Sequence, residues 1–215
     1  VLTHKDAKAW QKIKKSIVIP NVLTEYPVQL KQTLKQRKVI AAGRLTEQKG
    51  FDLLIDAWKV VNRKHPDWSL QIYGDGEDRD SLLSKISKEK LCTSIKINKP
   101  TSNIYEKYME SNFYVMSSRW EGFGLVLTEA MSCGIPCVSF DCPNGPSDII
   151  SDGVDGLLVE NGNTKQLAEK ICFMIENEEI RKQMGEKARE NVKRFLPERI
   201  MPQWVSLFNS LLKKP

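Results

Sequence analysis

No stretch of this 215-residue chain supplies the roughly 18 consecutive apolar residues that a bilayer-spanning helix needs. No signal-peptide pattern opens it either, so a cytoplasmic location is expected. Histidine is scarce, with only His4 and His65, far apart. The five cysteines, Cys92, Cys133, Cys137, Cys142 and Cys172, form no Cys-x-x-Cys pairs. A zinc site built from Cys133, Cys137 and Cys142 would lack a fourth ligand and the usual spacing, so reduced, mostly buried thiols are expected instead. The segment Gly43 to Gly50 lacks Gly-x-Gly-x-x-Gly, which argues against a nicotinamide-binding oxidoreductase domain. Aromatic residues are not interleaved with basic ones in any stacking pattern, which argues against nucleic acid as a partner.

The net charge of +6 is unevenly placed. Residues 1–38 hold nine Lys or Arg against two acidic residues, which leaves the remainder of the chain at −1. Lys5, Lys8, Lys12, Lys14 and Lys15 flank Trp10 in a short helical-looking stretch. Such a cluster fits a solvated face, and it also fits peripheral contact with an anionic membrane surface, at ~1 kcal/mol per cation close to the surface.

Hydrophobic residues make up 40% of the chain, enough for a substantial core in one domain or one and a half. Short apolar runs alternate with amphipathic ones. Strands are predicted at Lys38–Ala42, Ser69–Tyr73, Ser94–Ile97, Phe113–Ser117, Pro136–Phe140 and Leu157–Val159. Helices are predicted between and after them at Phe51–Lys64, Arg79–Lys90, Asn103–Met109, Gly124–Ser132, Thr164–Asn177, Glu178–Arg194 and Ile200–Leu212, with Pro197 as a break. In the last helix Trp204, Leu207, Phe208 and Leu211 share one face, which is expected to be uncovered. Strand–helix–strand repetition calls for an α/β fold, a Rossmann-like doubly wound parallel sheet of about six strands with helices on both faces and a helical C-terminal tail.

Two segments carry chemistry. Glu121 to Glu129 reads EGFGLVLTE, two carboxylates eight residues apart around a glycine-containing turn that enters a helix. Gly122 and Gly124 permit a sharp turn and bring bare amides close to a ligand. Leu125 and Val126 follow at the positive end of the helix, where a diphosphate is favoured. Glu129, about one and a half turns in, can accept from the vicinal hydroxyls of a ribose, and Glu121 can do the same for a donor sugar. Taken alone, the segment also fits an ordinary loop entering a core helix, with Glu129 a surface carboxylate.

The second segment, Val39 to Gly50, reads VIAAGRLTEQKG. Its apolar run reads as a buried parallel strand, so Arg44 and Lys49 emerge at the carboxyl edge, where open α/β sheets bind ligands. A planar guanidinium fork and a compact ammonium suit a diphosphate. Alone, they also fit a solvated loop with two cations.

Together these segments, with IPNV at Ile19–Val22, IYGDGED at Ile72–Asp78, VMSSRWEGFGLVLTEAMSCGIPCVSFD at Val115–Asp141 and DGVDGLLV at Asp152–Val159, resemble the nucleotide-binding C-terminal half of the family 4 retaining glycosyltransferases of the two-Rossmann-domain (GT-B) type. The resemblance extends from about Ser16 to the end. It implies Arg44 and Lys49 as diphosphate ligands and Glu129 as ribose ligand. Glu121 and the backbone of Phe123 and Gly124 would meet the donor sugar, and the Leu125 and Val126 amides would meet phosphate. Gly43 and Gly74 would end strands at the ligand edge. Where family members have a glycine in the base pocket this chain offers Asn98, Lys99 and Pro100, so Lys99 is a guess at a base contact. By the same resemblance, residues 1–18 are the remnant of an N-terminal acceptor domain, 19–37 an interdomain linker, 38–195 the donor-binding domain and 196–215 a helix crossing back toward the missing domain.

The segment DCPNGPSDII, Asp141 to Ile150, resembles members that use UDP-hexoses or UDP-N-acetylhexosamines to build bacterial surface polysaccharides. There Asn144, Gly145 and Pro146 would turn toward the ligand edge and Ser147 would cap the next helix, although the same residues also fit a plain helix start after a proline-rich turn. The implied activity is retaining transfer of a hexose or N-acetylhexosamine to a saccharide or lipid-linked acceptor. It would be independent of metal because fixed cations replace it, with Arg44, Lys49 and Glu121 in the catalytic centre. Asp75, Glu77, Asp78 and Asp80 are read as decorating a turn and a helix start. A catalytically inert nucleotide-binding or regulatory module fits the same sequence.

Overall fold

A computed structural model describes residues 1–10, 16–29 and 36–212; Lys12, Lys14 and Lys15 of the basic cluster lie outside these. The elements run α1 His4–Trp10, β1 Lys38–Ala42, α2 Phe51–Lys64, β2 Ser69–Tyr73, α3 Arg79–Lys88, β3 Ile95–Asn98, α4 Ile104–Met109, β4 Phe113–Met116, α5 Leu125–Ser132, β5 Cys137–Phe140, α6 Pro146–Ile149, β6 Gly156–Val159, α7 Thr164–Glu176, α8 Glu178–Asn191 and α9 Pro197–Leu212. Short 3-10 turns cover Glu47–Lys49 and Val192–Phe195.

All six strands are parallel, in the order β3-β2-β1-β4-β5-β6. Val39 faces Leu70 on one side and Phe113 on the other, so β1 and β4 lie at the centre. The central strands FYVM and CVSF are buried at every residue, as expected where helices cover both faces, whereas β3 at the edge alternates. On α2, Phe51, Leu54, Ile55, Trp58 and Val61 recur at helical spacing and are buried, and that stripe packs α2 against α3 and α7. The other helical group forms around α5, against α4, α6 and α8.

The structure corrects several boundaries. β3 starts at Ile95, because the Ser94 hydroxyl turns inward to accept from Trp58 Nε1 at 3.2 Å. α3 stops at Lys88, and Lys90 takes a left-handed φ of 59° that ends the run. β4 ends at Met116, and β5 and β6 begin at Cys137 and Gly156. α4 and α5 start one residue later than predicted, with Asn103 and Gly124 as caps, and α7 stops at Glu176 before the cap Asn177. Glu178–Arg194 divides into α8 and a 3-10 turn. Pro197 begins α9 instead of breaking the chain, since a proline's missing N–H costs nothing in the first turn. Ser147 is no cap: α6 starts at Pro146 with Gly145 at the cap position and no side-chain cap bond.

Residues before β1 pack onto this sheet domain. Ile19 and Leu23 are buried, and the Leu23 N–H donates to the Phe195 carbonyl at 2.8 Å. Arg189 donates to the carbonyls of Ser132 and Pro27 and lies over the Tyr26 ring. Lys5 Nζ meets Asp141 Oδ1 at 2.7 Å. On α9, Trp204 and Leu207 turn toward Val1, Ile17 and Ile19 around a cavity of about 550 Å³, while Val205, Phe208 and Leu211 are exposed. No helix among the described residues is long and apolar enough to cross a membrane.

Candidate active site

Because every strand points the same way, the loops that follow them share one edge of the sheet. Gly43 follows β1, Gly74 follows β2, Lys99 follows β3, Ser117 to Gly124 follow β4 and Asp141 to Gly145 follow β5. The strand order reverses between β1 and β4, and a crevice at that switch point is where such sheets bind ligands.

The β1 loop is fixed by close backbone contact. A Cβ on Gly74 would lie 1.9 Å from the Gly43 carbonyl oxygen, so only glycine lets the ends of β1 and β2 meet. Leu45, fully buried, donates its N–H to the Asp75 carbonyl and accepts from Asp78. Arg44 beside it is exposed, and its guanidinium makes no hydrogen bond or ion pair among the described residues. The turn Glu47–Lys49 then closes on Gly50, whose φ of 61° is left-handed and whose Cβ, if present, would strike the Ser117 carbonyl oxygen at 2.1 Å. That contact sets the β1 loop directly against the β4 loop.

Lys49 and Glu121 meet across this join. Lys49 Nζ donates to Glu121 Oε1 at 2.6 Å, with the side chains only 17% and 7% exposed. Ser118 Oγ donates to the same oxygen at 2.7 Å. Glu121 is thus a deeply set, doubly bonded carboxylate. Its backbone N–H donates to the Pro143 carbonyl at 3.1 Å, and a Cβ on Gly145 would sit 1.9 Å from the Phe123 carbonyl oxygen, so the β5 loop backs the β4 loop. Phe123 turns its ring inward onto Phe195, leaving its backbone to form the turn. Gly122 faces open space.

α5 begins at Leu125 because Gly124 adopts a φ of 96°. The Leu125 and Val126 amides fall in the first turn, where no intrahelical acceptor exists. Glu129, one turn on, is half-buried, and Tyr108 Oη donates to its Oε2 at 3.2 Å while Oε1 makes no hydrogen bond among the described residues. Burial pushes the Glu129 carboxyl above the ordinary range; the Tyr108 bond opposes the rise and the charge of Glu25 adds to it. Tyr108 is itself fully buried, edge-on to Tyr105 and Tyr114.

Lys99 is exposed past β3 and has no hydrogen bond or ion pair among the described residues that ties it to the Lys49–Glu121 pair. Sequence reasoning did not single out Ser118 or Tyr108. Ser118 sits three residues before Glu121 inside the quoted motif, a spacing that held the signal; Tyr108 comes from another helix and left none. Among the acidic residues after β2, Asp75 Oδ1 accepts from the Gly76 N–H at 3.0 Å, a turn-forming bond. No group of three or more His, Cys, Asp or Glu able to hold a metal occurs among the described residues. None of the five cysteines forms a disulfide among the described residues, and all but Cys92 are buried.

The family profile described as glycosyl transferases group 1 matches residues 24–191. The chain is 39% identical over 175 residues to the amylovoran biosynthesis glycosyltransferase AmsD of Erwinia amylovora, covering 81% of this chain and 49% of that protein. It is 34% identical over 169 residues to the poly(ribitol-phosphate) alpha-N-acetylglucosaminyltransferase of Staphylococcus aureus, covering 78% and 34%. Among solved structures, a mutant of S. aureus TarM in complex with fondaparinux, alpha-GlcNAc-glycerol and UDP superposes with a TM-score of 0.89 at 30% identity, over 97% of this chain and 43% of that one. The chain spans about half the length of AmsD and less of the other two. With the profile covering most of its length, this chain belongs to the group 1 glycosyl transferases.

Proposed function

We propose that the chain is the donor-binding half of a glycosyltransferase that moves a hexose or N-acetylhexosamine from a UDP-sugar to a saccharide or lipid-linked acceptor, the acceptor being held by a second domain. The observation that carries this reading is the convergence, at the β1/β4 switch point, of the free cation Arg44, the buried Lys49–Glu121 pair and the first turn of α5 with Glu129 behind it. The UDP bound by TarM and the N-acetylglucosaminyl activity named for the S. aureus relative favour uridine and an N-acetylhexosamine.

In the proposed reaction the bond from the anomeric carbon to the diphosphate breaks and the acceptor oxygen bonds that carbon on the same face. The acceptor's proton passes to the departing diphosphate. Negative charge grows on the phosphates, where Arg44, Lys49 and the α5 amides act as preorganised donors and no metal is required; losing one such donor typically costs ~3–4 kcal/mol of barrier. Calorimetric titration with UDP, GDP, ADP and NAD, repeated on Arg44→Ala and Glu129→Ala, tests the reading. Saturable UDP binding weakened by both substitutions is expected, and NAD binding alone would overturn it.

A further inference from the structure

We infer that Arg119 and Asp52 form a positioning fork that sets Lys49 and Glu121 in place for the donor diphosphate, an inference that rests on the donor-site reading above. Arg119 Nη1 and Nη2 donate to Asp52 Oδ1 and Oδ2 at 2.8 and 2.7 Å. Nη1 also reaches the Glu47 carbonyl at 2.8 Å, and the Arg119 backbone N–H donates to the Gln48 carbonyl at 2.8 Å. In the opposite direction Gln48 Nε2 donates to the Trp120 carbonyl at 3.0 Å. Every one of these bonds joins the turn that carries Lys49, or the first turn of α2 that follows it, to the segment that carries Glu121.

The placement separates positioning from stability. Asp52 and Arg119 side chains are 41% and 28% exposed, and ion pairs that wet contribute little to folding free energy. A bidentate guanidinium–carboxylate pair nevertheless fixes direction as well as distance. Here it adds a two-point clamp to loops that also meet through Gln48 Nε2 on the Trp120 carbonyl, Ser117 Oγ on the Lys49 carbonyl and the Lys49–Glu121 contact. Neither residue points to a donor role by itself; Arg119, on the β4 loop, spends its guanidinium on protein acceptors of the opposite side of the join, the Glu47 carbonyl and the Asp52 carboxylate. Small displacements of a charged ligand group are expensive when the bound anion cannot follow it, so loosening the fork is read out through Lys49.

The test is a double-mutant cycle on UDP affinity, measured by calorimetry on the whole chain. Arg119→Ala and the milder, isosteric Asp52→Asn are each combined with Lys49→Ala, and thermal melting is recorded for every variant. We expect Arg119→Ala to weaken UDP about tenfold and Asp52→Asn by less, both losses disappearing on the Lys49→Ala background, with the melting temperatures of the two single fork variants near the parent's. Faster amide hydrogen exchange at Gln48 to Gly50 in Arg119→Ala should accompany the loss. If Lys49→Ala weakens UDP while both fork variants bind like the parent, the fork has no positioning role and the donor-site reading stands. The fork is equally overturned if its losses persist undiminished without Lys49. Parent protein that binds no UDP, or binds it indifferently to Lys49→Ala, overturns both.

Discussion

Lys49 Nζ and Glu121 Oε1 stand 2.6 Å apart at the join of the β1 and β4 loops, each nearly out of water. A cation so placed is held in a fixed direction, and a carboxylate so placed cannot be stripped of its partner cheaply. Lys49→Ala should therefore lower stability as well as UDP affinity, by ~2–3 kcal/mol in urea unfolding, because it leaves a buried charge unpaired. Glu121→Gln keeps an acceptor for Ser118 and should cost less. Equal, negligible losses in both variants would mean the pair is solvated in solution.

On the proposed donor-site reading, Glu129 and the α5 amides would divide the nucleotide between them. Glu129→Ala should weaken UDP yet leave inorganic pyrophosphate binding near its parent value, since the carboxylate addresses ribose hydroxyls and the amides address phosphate. Tyr108→Phe removes one hydrogen bond to Glu129 and should reduce stability by ~1 kcal/mol. Comparative calorimetry of UDP and pyrophosphate decides the division; parallel loss of both ligands would contradict it.

The pH dependence follows from the raised Glu129 carboxyl, whose first cause is burial. Folded protein holds this proton at pH values where the unfolded chain has released it. The resulting contribution is complete below the ordinary glutamate value and is lost as pH rises through the folded one. Binding runs the other way, because only the carboxylate accepts from two hydroxyls. UDP affinity should thus fall on acidification at a higher pH than an unperturbed glutamate would dictate, and Glu25→Gln should move that limb down. Affinity profiles against pH for the parent and Glu25→Gln check both statements.

Gly145 combines a φ of 110° with a Cβ position 1.9 Å from the Phe123 carbonyl oxygen. Gly145→Ala should strain the backbone by ~1–3 kcal/mol and push the Phe123–Gly124 turn off the β5 loop. A lower melting temperature together with weaker UDP binding is the expected pair of results. A normal affinity would show that the turn holds its place without this support.

Thiol labelling reports the core. Burial pushes the Cys133 and Cys142 thiols up to about 12, and only Cys92 of the five is exposed. An aromatic disulfide reagent at neutral pH should react quickly with Cys92 alone in native protein and with all five in denaturant. Rapid reaction at a second site would mean that one of the β5 neighbours is open.

Strands β1 and β2 were legible to the residue because their apolar runs end in Gly43 and Gly74, the latter a glycine that close contact with the Gly43 carbonyl demands. The parallel arrangement was legible for the same reason that β4 and β5 are buried throughout: both faces are covered. Helix ends were less legible. Pro197 starts α9 and Gly145 starts α6, choices made by backbone angles that the residue type only permits. Local motifs singled out Arg44, Lys49, Glu121 and Glu129 as candidates, whereas the pairing of Lys49 with Glu121 depends on β1 lying beside β4 and is written in no local pattern.

That adjacency also has a price in time. Val39 pairs with Phe113, so the middle of the sheet cannot zip up in the order in which the ribosome delivers it. β1, β2 and β3 can associate as they emerge, but the inner edge of β1 stays open until β4 has been made. Pairings so distant in sequence slow folding, and an open apolar strand edge invites other chains meanwhile. The join that sets Lys49 against Glu121 is therefore also the seam that closes late during biogenesis, and recombinant yield should respond to slower synthesis or lower temperature more than to ligand in the medium.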